Sequence, residues 1–121
     1  TPGSQDYPYP AMSWLYPDRG DFIAVVGRMQ DINAVRQVKA ALLSSRDLSV
    51  YSMNAPGFIP GIDFSDHLNY WQHDIPAVMI TDTAFYRNKQ YHLPGDIADR
   101  LNYQKMAQVV DGVTTLLYNS K

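Results

Sequence analysis

The sequence contains no cysteine and no glutamate. The first absence excludes disulfides and thiolate metal sites and leaves the redox compartment open. The second means that all 12 acidic residues are aspartate, so a mechanism that needs a glutamate base cannot be completed by this chain alone. Blocks of basic residues are missing too. Ten Lys and Arg stand against the 12 acids, giving a formal charge of -2, and this argues against nucleic acid and membrane as partners. No apolar run reaches the length of a membrane span or of the h-region of a signal peptide.

What is present is globular in character. Hydrophobic residues make up 45% of the 121 residues and charged residues 18%, enough to bury a single core. The chain reads as one unit over residues 1–121. Its first twenty residues hold four of the eight prolines together with Tyr7, Tyr9, Met12, Trp14, Leu15 and Tyr16. Proline denies amide hydrogen bonds and turns its predecessor away from helix, so residues 1–20 predict an extended arm. Its aromatic content predicts that the arm packs on protein.

Regular structure is expected from Asp21 onward. Phe22-Ile23-Ala24-Val25-Val26-Gly27 is short, apolar and β-branched, which suits a strand covered on both faces. Asp31 can cap a helix over residues 31–46, with an apolar stripe of Ile32, Val35, Val38, Leu42 and Leu43. A second strand over residues 48–53 leads into a loop rich in Pro and Gly, then into a short helix over residues 64–73 capped by Asp63 or Ser65. The third strand covers residues 77–81 and empties into a long polar loop, Asp82 to Asp99. The last helix, residues 102–118, carries Tyr103, Met106, Ala107, Val110, Val113 and Leu117 on one face. Strands alternating with helices imply an α/β sheet with helices on its faces.

In such sheets, sites gather at the carboxyl ends of strands. The stretches 61–67 and 81–96 qualify, and together they hold two of the three histidines and four of the twelve aspartates. Ser65-Asp66-His67 has the letters of a nucleophilic triad, but adjacent residues cannot converge as a triad must. His92 is the better candidate, because a neutral imidazole in a polar loop is a common metal ligand. His67 and His73 are six apart and do not share a helix face.

The run from Ser65-Asp66-His67 through Trp71, Ile75-Pro76-Ala77-Val78-Met79-Ile80-Thr81-Asp82-Thr83-Ala84-Phe85-Tyr86-Arg87-Asn88 to Tyr91-His92 and Asp96 resembles the C-terminal part of the zinc-dependent aminopeptidases. That family includes the bacterial leucyl aminopeptidases and the related glutaminyl cyclases. The likeness extends back through Tyr16-Pro17-Asp18-Arg19-Gly20-Asp21 and forward to the last helix. It implies part of a three-layer αβα zinc-exopeptidase fold whose complete form holds two zinc ions, with His92 as one ligand. On the same resemblance Asp66 and His67 lie near the metal centre, and Asp96 and Tyr91 flank the ligand loop. Phe58, Ile59, Phe85 and Tyr86 are expected to wall the pocket for a peptide's N-terminal residue. A periplasmic or secreted location goes with the resemblance. With neither glutamate nor an upstream His/Asp cluster, the chain is expected to be the C-terminal portion of such an enzyme and inactive alone.

Two alternatives follow: a glutaminyl cyclase-type fragment, and a non-catalytic interaction domain of the same fold. A homo-oligomer is also expected, formed through an exposed sheet edge near Phe22–Val26 and Ala77–Ile80 or through the N-terminal arm.

Overall fold

The computed structural model describes residues 1–45, 47–56 and 65–120. It shows a mixed α/β chain with three strands in one sheet and three helices. Strand β1 is Phe22–Gly27, followed by helix α1, Ile32–Leu43, and strand β2, Ser49–Asn54. Helix α2 is His67–Gln72, strand β3 is Val78–Thr81, and helix α3 is Tyr103–Asn119.

The sheet order is β2-β1-β3. Helix α1 returns the chain over the sheet, so β1 and β2 are parallel, with Ile23 opposite Val50 and Val26 opposite Met53. Strand β3 runs antiparallel to β1, with Val25 opposite Ile80 and Val26 opposite Met79. Alternation along each strand assigns its residues to two faces. Ile23, Val25, Leu48, Val50, Val78 and Ile80 join Val35, Val38 and Leu42 of α1 and Val109, Val113 and Leu116 of α3 in one core. On the other face Val26, Ala24, Met53 and Met79 pack with Ala55, Leu68, Ala77 and Trp71. The continuous apolar run of β1 is thereby explained: it is the central strand and has helices on both sides.

That position corrects the expected open edge at Phe22–Val26, whereas the expected edge at Ala77–Ile80 does fall on an edge strand, β3. Phe22–Gly27 pairs with β2 and Ala24–Gly27 also with β3, so among the described residues the edges are β2 and β3. The arm's expected packing is found within the chain itself. Asp6 N–H donates to the Tyr86 carbonyl (2.8 Å) and Gln5 N–H to that of Asp18 (3.0 Å), and the Tyr16 hydroxyl donates to the carbonyl of Ser52 (3.2 Å). The arm is not wholly extended, since Pro10–Trp14 forms a 3-10 turn with proline in its first positions.

Helix termini differ from expectation in an instructive way. Asp31 precedes α1 but does not cap it. Its carboxylate is taken by the Arg28 guanidinium at 2.7 Å, which also donates to the Trp71 carbonyl at 3.2 Å and lies 5.7 Å over the Trp71 ring. Asp66, not Ser65, stands before α2, with no side-chain cap, while Asp63 lies outside the described residues. Among the described residues, only Asn102 caps an α-helix as its type suggests, accepting the Lys105 N–H at 3.0 Å.

Candidate functional site

Because β3 is antiparallel, the loops that follow β2 and β3 leave from opposite ends of the sheet. The rule of carboxyl ends therefore does not bring stretches 61–67 and 81–96 together by topology. A cavity does what topology does not. It has a volume of about 340 Å³ and lies between the arm and the face of the sheet opposite α1 and α3. Its floor is Ala24 and Val26 of β1, Tyr51 and Met53 of β2, and Met79 of β3. The arm roofs it with Tyr7, Pro8, Met12 and Tyr16, and the loop after β3 closes one end with Asp82–Tyr86 and Tyr91. Ser65, next to Asp66, also touches it.

The end wall is built on unusual backbone. Thr83 (φ 74°), Ala84 (φ 46°) and His92 (φ 57°) all occupy the left-handed region, which costs a non-glycine residue about 1–3 kcal/mol. Local hydrogen bonds hold this turn. The Thr83 N–H donates to the Thr81 hydroxyl (2.9 Å), and the Ala84 N–H donates to the Asp82 carboxylate (2.9 Å). The buried Gln5 amide donates to the Thr83 hydroxyl at 2.8 Å. Arg87 then ties three segments together. Its Nε donates to Gln5 Oε1 (2.9 Å), its Nη1 donates to the Phe22 carbonyl (2.8 Å), and its guanidinium sits 4.6 Å over the Phe22 ring. Burial lowers the Arg87 pKa from its ordinary value, against the opposing pull of Asp82 and Asp21.

The roof is largely aromatic. Tyr7 donates to the Pro17 carbonyl at 2.6 Å and lies 6.0 Å from the Tyr16 ring, which meets Tyr51 edge-on at 6.0 Å. Burial pushes the Tyr7 hydroxyl up to about 12, although Arg87 pulls the other way. Burial also raises the hydroxyls of Tyr16 and Tyr86.

The residues singled out in the sequence are distributed as follows. Phe85, Tyr86 and Tyr91 line the cavity. His92 is exposed and stacks on Tyr91, with ring centroids 3.9 Å apart. Asp96 is exposed and accepts a hydrogen bond from the Asn88 amide at 2.8 Å, closing the loop on itself. Asp66 is exposed, whereas His67 is buried against Trp71 at 4.4 Å, edge to face. Phe58 and Ile59 lie outside the described residues. Sequence reasoning missed Gln5, Arg87 and the floor of Tyr51, Met53 and Met79. The alternation within β1 and β2 was the available signal for the floor.

Among the described residues no group of three or more His, Cys, Asp or Glu side chains converges. These residues do not make a complete metal site, and His92 meets solvent without a cluster of ligands around it.

Comparison with known proteins corrects the family resemblance. No family model matches the chain, and no solved structure matches it. Among curated proteins it is similar to the uncharacterized protein YfbL of Escherichia coli (strain K12), at 94% identity over 120 residues. The match takes in 99% of this chain and 37% of YfbL, so the chain spans little more than a third of that relative's length. Membership of the zinc-dependent aminopeptidase family therefore has no support from the comparisons.

Proposed function

We propose that this chain forms the substrate-holding part of a zinc-dependent aminopeptidase and seats the apolar or aromatic N-terminal side chain of a peptide. The observation that carries the reading is the 340 Å³ cavity, with its apolar floor and aromatic roof. Such a volume suits a large side chain, and rigid aromatic walls bind one with little loss of their own freedom. Asp82 stands on the same lining, a carboxylate suited to the free ammonium at a peptide's N-terminus. The groups that cut the bond are assigned to sequence beyond this chain, because the sequence has no glutamate and the described residues hold no ligand cluster. His92 is this chain's candidate contribution to a metal.

The test uses the full-length E. coli relative, purified with added zinc and assayed on alanyl, leucyl and phenylalanyl anilides. Turnover is expected, with the larger side chains preferred. Ala24→Phe, which fills the cavity floor, is expected to raise KM for the phenylalanyl substrate on the order of tenfold while sparing the alanyl one. Absence of turnover on every anilide sinks the reading. Turnover with identical responses of both substrates to Ala24→Phe moves the pocket elsewhere.

A further inference from the structure

Helix α3 has two apolar sides, and only one is used. Val109, Val113 and Leu116 join the core, and Gly112 sits against α1, where an added Cβ would lie 2.9 Å from the Leu42 Cα. Residues two apart on a helix are about 160° around it from one another, so Val110 and Thr114 point away from α1. That outer side is an apolar stripe open to solvent: Tyr103 is 59% exposed, Val110 62% and Leu117 64%, with Met106 beside them at 46%. Helix α1 covers β1 and β2. Helix α3 packs alongside α1 and joins the cluster that contains Val78 and Ile80 of β3. The stripe therefore faces outward on the β3 side. There β3, among the described residues, pairs with no strand except β1. A bare helix face and an open strand edge thus lie on one side of the molecule.

We infer that this side is an internal interface, covered in the longer protein by an amphipathic helix laid along α3 and a strand added to β3. The occupant is sequence of the longer protein outside the match. The matched region is 37% of the relative, which leaves ample sequence for such a layer. A stripe of Tyr, Met, Val and Leu on one helix face is the composition of a buried surface, and soluble proteins rarely leave one bare. This inference is independent of the reaction.

The test is thiol accessibility in the full-length relative. Single cysteines are introduced as Val110→Cys and Thr114→Cys on the stripe, with Asn119→Cys as an exposed control, and labelling is followed on the α3 peptide by mass spectrometry. Labelling at Val110→Cys and Thr114→Cys is expected on the order of tenfold slower than at the control, independent of protein concentration, because access requires local opening. The same substitutions in the 121-residue chain at high dilution should label as fast as the control. Equal rates in the full-length protein overturn the inference. Protection that appears only at concentrations where the full-length protein dimerises overturns it as well, because a second copy is then the occupant.

Discussion

Tyr7 shows how one partly buried hydroxyl couples the arm to pH. Its pKa stands at about 12 against an ordinary 10.0, chiefly because burial disfavours the phenolate. A group raised in the folded state stabilises fully below its unfolded pKa and loses that contribution as pH climbs towards the folded value. Stability is therefore expected to be flat up to about pH 10 and to fall between pH 10 and 12, with Tyr16 and Tyr86 adding in the same direction. Tyr7→Phe should shallow that fall, at a cost of about 1 kcal/mol at neutral pH from the lost bond to the Pro17 carbonyl. Urea titrations at a series of pH values measure both effects. An unchanged alkaline slope in the variant would show that the arm detaches before Tyr7 ionises.

At the scale of elements, periodicity carried most of the fold and failed where two signals overlapped. The strands at residues 22–27, 48–53 and 77–81 were legible because short β-branched runs between turn residues have few other uses. The α3 boundaries were legible from Asn102 and from the length of the apolar pattern. Its orientation was not, because Tyr103, Met106, Val110 and Leu117 look like a core face, whereas the face that packs carries Val109, Gly112, Val113 and Leu116. The direction of β3 was illegible for another reason. The connection from β2 to β3 fits either hand of pairing, so the separation of the two candidate loops could not be foreseen. The cavity was half legible, through Phe85, Tyr86 and Tyr91, since its floor comes from strand alternation across three separated segments.

Gly112 tests the orientation of α3. Alanine is the better helix former by about 1 kcal/mol. An added methyl here, however, would lie 2.7 Å from Leu42 Cδ2 and 2.9 Å from Leu42 Cα. The second contact is backbone and cannot rotate away, so α1 and α3 must separate. Gly112→Ala is expected to destabilise by roughly 1–3 kcal/mol despite its propensity, which is the usual cost of overpacking. The urea midpoint reads this directly. A stabilised variant would mean that α1 and α3 are further apart than described.

For the whole molecule, the arm and the sheet edges have opposite consequences for association. The arm is committed to its own chain through Gln5, Asp6 and Tyr16, so exchanging it between copies would break bonds already made. The edges are less committed: the Ser52 carbonyl of β2 accepts from Tyr16, but among the described residues β2 and β3 each pair with no strand except β1. Strand β2, Ser49–Asn54, has no charge or proline along its length, and β3 has Pro76 only before its start. Unpaired edges of this kind invite a further strand, and the α3 stripe adds apolar surface on the β3 side. The 121-residue chain on its own is therefore expected to sediment heavier than its 13.7 kDa at low micromolar concentration. The double change Val110→Lys and Leu117→Lys should shift it towards monomer, because both positions are on the exposed stripe. If the double variant associates as before, β2 is the surface in use. If the parent chain is a clean monomer throughout, the open edges are protected by their own twist and brevity, and the association falls while the fold stands.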